Sequence, residues 1–125
     1  MTQQDKDLLL HDLSARLPYG VKCQTKNGIG TLISIECSFG ENLVYVDFDR
    51  SEAEEYDLND GDTVKPYLRP MSSMTEVERQ EYGLVLCDEL STNQYDWLNS
   101  HHFDYRGLVE KGLALEAKEG MYNKN

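Results

Sequence analysis

The side chains best suited to chemistry in this sequence lie in the segment His101-His102-Phe103-Asp104. Imidazole and carboxylate groups are common zinc ligands and common general acids and bases. Consecutive residues of a helix point about 100° apart, however, so the two imidazoles do not easily serve one metal ion. We therefore favour a structural role, with one histidine packed or hydrogen-bonded at a helix C-terminus. A small metal-dependent hydrolase that uses His101, His102 and Asp104 stays open as an alternative.

A second candidate is the DxD pattern formed by Asp47 and Asp49 on either side of Phe48. On a strand both carboxylates would point to one face and could hold a metal-bound phosphate. No glycine-rich phosphate loop accompanies the pattern, and the acidic stretch 49–62 does not place its glycine where an EF-hand loop requires it. We therefore predict no catalytic residue, no metal site and no cofactor.

The three cysteines, Cys23, Cys37 and Cys87, form no CxxC pair. An odd count without such pairing argues against a disulfide framework and against a structural zinc site. We predict that each is a small, reduced, buried side chain. The apolar residues that precede Cys87 make a reactive thiol there less favourable, because burial raises the pKa of a thiol.

The charge of the chain is strongly acidic, with 23 acidic and 12 basic residues among 125 and a net charge of −11. Nucleic acids and anionic membranes attract basic surfaces, so both are unfavourable partners. The acidity either serves solubility or favours docking onto a basic protein, in the second case by imitating nucleic acid. A nucleic-acid-associated module with a local basic patch near Lys65 and Arg69 is a further alternative.

Targeting signals are the next consideration. The apolar runs are three or four residues long, far short of the roughly 20 that a membrane span needs. The residues after Met1 have neither a basic nor an apolar region of the kind that begins a signal peptide. We therefore expect a cytoplasmic protein without a membrane segment.

Aromatic and polar side chains are dense between residues 95 and 106, where the single tryptophan lies. Trp, Tyr and Arg are over-represented where proteins bind each other most tightly. The segment either anchors the helical half of the chain or forms a contact surface for a partner. Together with the acidic strand end, the candidate partner surface comprises Tyr95, Trp97, His101, His102, Tyr105, Arg106, Asp47 and Asp49.

The elements that must position these residues follow from periodicity. Residues 2–17 predict an amphipathic helix with Thr2 and Asp5 as a capping box. Residues 20–68 are rich in β-branched residues and turns, and predict four or five short antiparallel strands. The loop of the first hairpin has two alternatives: a two-residue turn at Asn27-Gly28, or a loop that is one residue longer. We favour the longer loop, because it pairs Val21 with Ile35 and Cys23 with Ile33 on one face.

The fold class predicted is α+β in one domain over residues 1–125: an N-terminal helix, a small SH3-like antiparallel sheet, then two or three helices in residues 72–117. Thr75 and Glu78 form a second capping box, with Val77, Leu84, Val85 and Tyr82 expected to face inward. A third helix is predicted over residues 92–102 and a short fourth one from Asp104 to Lys111. Residues 118–125 are expected to be frayed.

Two segments, Val64–Glu76 and Asp96–Ala117 (DWLNSHHFDYRGLVEKGLALEA), carry a resemblance that covers nearly the whole chain. In them the sequence resembles a family of short uncharacterised proteins common in gut anaerobe genomes, often in phage-like or other mobile regions. The resemblance implies a bacterial cytoplasmic setting and a phage link, and it brings no activity or catalytic residue. We therefore predict a non-enzymatic protein-interaction module, with a basic protein as its partner.

Overall fold

The computed structural model describes residues 2–38, 41–48, 52–87 and 94–122. Within them lie three α-helices and six strands, which confirms the α+β class. The elements in chain order are α1 (Gln3–Arg16), β1 (Lys22–Thr25), β2 (Gly28–Ser38), β3 (Glu41–Asp47), β4 (Glu54–Asp57), β5 (Lys65–Leu68), α2 (Glu76–Cys87), α3 (Gln94–Ser100) and β6 (Leu115–Glu116). No helix in these ranges is long and apolar enough to cross a bilayer.

Helix α1 begins and ends as the sequence predicts. The Thr2 hydroxyl accepts the Asp5 amide at 3.1 Å, and the Asp5 carboxylate accepts the Thr2 amide at 3.2 Å. Each side chain therefore satisfies a backbone N–H group that the helix leaves unpaired. Leu9 and Leu13 are buried and place the helix on the core.

The six strands form one sheet in the order β4-β3-β2-β1-β5-β6. The first five pair antiparallel, as predicted, and β6 pairs parallel to β5. Strand β6 was not predicted, because two residues are too few to show an alternating pattern. A bulge between Leu32 and Ser34 shifts the register with β3, so that both Leu32 and Ile35 pack on the core while Ile33 is exposed.

The register of the first hairpin differs from both alternatives considered. Thr25 pairs with Gly28 and Cys23 with Gly30, which leaves a two-residue loop. The Thr25 hydroxyl accepts the Asn27 amide at 3.1 Å and donates to the Gly28 carbonyl at 2.9 Å, so the turn is held by its own side chain. A Cβ at Gly30 would lie 2.5 Å from Cγ1 of Val46, so this position admits glycine alone at such close approach.

Helix α2 begins with the predicted capping box, since Thr75 and Glu78 exchange bonds of 2.9 and 3.2 Å. The prediction of its inner face is wrong for Val77 and Leu84, which are both exposed. The side of the helix that meets the rest of the molecule carries Glu78 and Tyr82 instead, through an ion pair and a ring stack.

The predicted fourth helix is absent from residues 104–111, which form turns. The Asp104 carboxylate still accepts two backbone amides, from Leu108 at 2.8 Å and Val109 at 3.0 Å, as a helix cap would. Gly107 follows with a φ of +72°, and a left-handed residue at that point stops a helix from propagating. Helix α3 ends at Ser100, two residues earlier than predicted.

The segment after β6 contacts the sheet. The Tyr122 hydroxyl accepts the Lys22 amide at 2.8 Å and donates to the Tyr67 carbonyl at 2.6 Å. Burial raises the pKa of this phenol well above its ordinary value. The expectation that the chain frays from residue 118 therefore does not hold at Tyr122; residues 123–125 lie outside the described part.

The cysteines are placed differently from one another. Cys23 is fully buried in the core, as predicted, whereas Cys37 is exposed near the end of β2. The prediction for Cys37 is therefore wrong, because it lies beyond the part of β2 that the core covers. The side chain of Cys87 lies outside the described part of the structure.

Candidate interaction surface

Trp97 is the centre of an aromatic stack that joins α2, α3 and the sheet. Its ring lies 5.2 Å from Tyr82, 4.1 Å from His101 and 5.9 Å from Phe103, measured between centroids. Phe103 is fully buried and extends the stack to Arg69, whose guanidinium carbon is 4.2 Å from the Phe103 ring. The tryptophan therefore anchors the helical half onto the sheet.

The two histidines face different surroundings. Nδ1 of His101 is 2.9 Å from the Trp97 carbonyl oxygen, which holds this ring against the indole. His102 is buried, has a φ of +63° and stacks on Tyr122 with 3.7 Å between ring centroids. Asp104 is bound to backbone amides. In the residues that the structure describes, no three His, Cys, Asp or Glu side chains converge as metal ligands.

Tyr95, Tyr105 and Arg106 are brought together at the outer side of α3. Tyr95 is 54% exposed, and its ring centroid is 5.4 Å from that of Tyr105. The Arg106 guanidinium lies 4.6 Å from the Tyr105 ring, and the Tyr105 hydroxyl donates to Asn99 at 3.0 Å. Of the predicted aromatic surface, Tyr95 is exposed and His102 is buried, whereas Trp97, His101, Tyr105 and Arg106 are partly buried.

A buried charge network beneath this surface was not predicted. Arg16 and Asp12 have fully buried side chains and are joined by bonds of 2.8 and 3.2 Å. Arg16 also donates to the Phe103 carbonyl at 2.6 Å, and Arg106 donates to Asp12 at 2.6 Å. The spacing of Asp12 and Arg16, four residues apart on one helix, is the only signal the sequence offers for it.

The acidic strand end is remote in the sheet from the aromatic residues. Asp47 is the last residue of β3 and pairs with Thr31 of β2. Strands β2 and β1 separate β3 from β5, whose continuation at Arg69 pairs with Phe103. Asp49, the other acidic candidate, lies outside the described residues.

Hydrogen bonds join residues of the acidic stretch to one another between residues 54 and 62. The Asp62 carboxylate accepts the Asp57 amide at 2.9 Å and lies 3.3 Å from Nζ of Lys26. The Asp57 amide and then Lys26 lower the pKa of Asp62. These bonds hold the turn between β4 and β5 in one shape.

Helix α2 carries three of the exposed apolar side chains in the described part of the structure. Leu84 is 75% exposed, Val77 65% and Leu86 52%. Val77 and Leu84 are seven residues apart and therefore share one side of the helix, which we call the α2 stripe. The sequence prediction had assigned these two apolar residues to the core because of their helical spacing.

No known protein family, curated protein or solved structure matches this chain. The contacts, exposure and charge of its own residues are therefore the basis for a function.

Proposed function

We propose that this chain is a non-enzymatic protein-interaction module whose partner docks on the α2 stripe. The observation that carries the proposal is the exposure of Val77 and Leu84 on a helix whose opposite side is already packed against the molecule. Exposed apolar side chains that share one helix side are typical of binding surfaces. Covering both would remove much of their apolar area from water, and this favours association.

The charge around the α2 stripe indicates a basic partner. Glu76 and Glu81 are exposed on the same helix, and the net charge of the chain is −11. Two copies of so acidic a chain repel each other, whereas a basic protein is attracted and steered to the surface. We therefore propose a partner that presents apolar residues flanked by lysine or arginine.

The outer aromatic residues form a second contact region in this proposal. Tyr95 is exposed and rests against Tyr105, so its ring offers area without losing much conformational freedom on binding. Trp97 contributes indirectly, because its stack with Tyr82 and His101 orients α3.

The test is capture of a partner by tagged protein from a native lysate near physiological salt. We expect one stoichiometric, basic protein with the unaltered chain, and its loss with the double variant Val77→Asp/Leu84→Asp. The matched control, Gln4→Asp/Ser14→Asp, adds the same charge at exposed polar positions of α1, away from the α2 stripe, and should retain capture. Equal capture by a folded α2 variant, or no partner at all, would contradict the proposal.

We also propose that strands β1 to β5 form an SH3-like unit. Support comes from the order β4-β3-β2-β1-β5, from the bulge that bends the long strand β2, and from the 3₁₀ turn Leu58–Asp60 that precedes β5. A nucleic-acid role for this unit through Arg69 is less favoured, because Glu78 neutralises that guanidinium.

The resemblance to short proteins of gut anaerobe genomes, with its phage-like setting, stays part of the proposal. Sequencing around the gene is its test. Neighbouring genes for phage replication or assembly would support the setting, and a stable operon of metabolic genes would contradict it.

A further inference from the structure

A groove of about 1010 Å³ opens between the start of α2 and the segment that follows β6. One wall is formed by Arg69 and Val77, so the groove borders the α2 stripe. The other wall is formed by Glu116, Lys118, Glu119 and Tyr122.

The second wall contains the free edge of the sheet. Among the described strands, β6 lies at the end of the sheet and pairs with β5 alone, and the Ala117 amide donates to the Leu68 carbonyl at 2.7 Å. Backbone groups alternate in direction along a strand, so the N–H and C=O groups of Glu116 point away from β5. An extended chain lying in the groove can bond to them as an added strand.

The first wall is held in place before any ligand binds. Both nitrogens of the Arg69 fork lie 2.7 Å from the Glu78 carboxylate oxygens, and the guanidinium lies over Phe103. A groove with such a fixed wall loses little conformational entropy when a peptide enters.

The charged side chains that line the groove leave it with a net negative charge. Arg69 and Glu78 offset each other, which leaves Glu116 and Glu119 against Lys118. Glu116 and Glu119 are exposed and form no ion pair with the residues that the structure describes. A bound chain with basic side chains would supply the missing partners.

We infer that this groove binds an extended basic segment of the partner protein, as an added strand along β6 with its lysine or arginine side chains at Glu116 and Glu119 and an apolar side chain at Val77. The inference rests on the proposed function in that it describes how the same partner is held, at a site beside the α2 stripe.

The direct test uses fluorescent peptides of alternating valine and lysine, titrated by anisotropy near physiological salt, with a valine–glutamate peptide for comparison. The lysine peptide should bind and the glutamate peptide should not. The double variant Glu116→Lys/Glu119→Lys should weaken binding about tenfold, since two exposed charge pairs are each reversed. A matched control, Glu55→Lys/Glu110→Lys, makes the same charge change at exposed positions elsewhere and should bind like the unaltered chain.

A backbone variant separates strand addition from simple charge attraction. Glu116→Pro removes the N–H that points into the groove but none of the bonds to β5. It should bind the lysine peptide more weakly than Glu116→Gln, which removes only the charge. Circular dichroism and thermal melting establish that each variant is folded.

Three results would overturn the inference: no binding of the lysine peptide, equal binding of the glutamate peptide, or equal weakening by the groove and control variants. The α2 variant Leu84→Asp separates the two proposals. Loss of partner capture with Leu84→Asp, but no peptide binding at the groove, would retain the proposed function and reject this site.

Discussion

Arg69 and Glu78 form a two-pronged ion pair, with Nη1 2.7 Å from Oε2 and Nη2 2.7 Å from Oε1. The pair joins the end of β5 to the first turn of α2, nine residues later. The bonds from Arg69 hold the pKa of the Glu78 carboxyl at about 2, below its ordinary 4.5. The same carboxylate caps α2, so one side chain fixes both the start of the helix and its place on the sheet.

This pair predicts a stability change in acid. Because the folded-state pKa of Glu78 is lowered, the pair stabilises the fold fully above about pH 4.5 and loses its effect as the pH falls towards about 2. We expect Glu78→Gln to lower the free energy of unfolding by about 1–2 kcal/mol near neutral pH, and by much less in acid. Urea unfolding at several pH values measures this. Glu76→Gln, at an exposed neighbouring position, should keep the pH dependence of the unaltered chain; the same pH dependence in Glu78→Gln would contradict the assignment.

The buried network around Asp12 predicts a larger loss. Asp12 holds both Arg16 and Arg106, and Asp12→Ala would leave the fully buried Arg16 without its carboxylate. An uncompensated buried charge of this kind costs about 3–5 kcal/mol in the free energy of unfolding. Thermal and urea unfolding provide the measurement, with Asp7→Ala, at an exposed site of the same helix, as the control. A change below 1 kcal/mol for Asp12→Ala, on the order of a surface substitution, would show that the network is not needed.

Replacing glycine by alanine should have opposite effects on stability at Gly30 and at Gly83. At Gly30 an added Cβ would meet Val46 at 2.5 Å and the Asp47 carbonyl at 2.7 Å, so Gly30→Ala should destabilise the fold by about 1–3 kcal/mol. At Gly83, inside α2, no atom lies within 4 Å of the added Cβ. Gly83→Ala should therefore stabilise the fold by about 0.5–1 kcal/mol through helix propensity. Paired denaturation curves check both signs, and a stable Gly30→Ala variant would contradict the close approach of β2 and β3.

The different burial of Cys23 and Cys37 predicts that a thiol reagent labels one of them selectively. Burial, and then the negative charge of Asp12, raise the pKa of Cys23 to about 12, whereas Cys37 is exposed. In a Cys87→Ser background, a thiol reagent at mildly alkaline pH should label Cys37 quickly and Cys23 only after unfolding. Mass spectrometry of digested protein locates the label. Rapid modification of Cys23 in the folded protein would contradict its burial.

Local signals predicted several elements correctly. The capping boxes of Thr2 with Asp5 and of Thr75 with Glu78 are both present, because each depends on residues three apart in the chain. The β-rich part was likewise recognised, as four or five antiparallel strands, from its β-branched residues and turns. Of the candidate surface, the structure places Tyr95 beside Tyr105, whereas the sequence prediction had placed the exposed α2 residues Val77 and Leu84 in the core.

What the sequence by itself determined is therefore the type and order of the main elements and the strongly acidic charge, since these depend on composition and short-range spacing. The tertiary structure decided the hairpin register, through the space above Gly30 that Val46 occupies, and the inner side of α2, through the pairing of Glu78 with Arg69. It also decided that Leu115–Glu116 becomes a strand, because only the free edge of β5 supplies its hydrogen-bond partners. Each of these outcomes depends on contacts between residues distant in the chain, and periodicity along one segment does not record them.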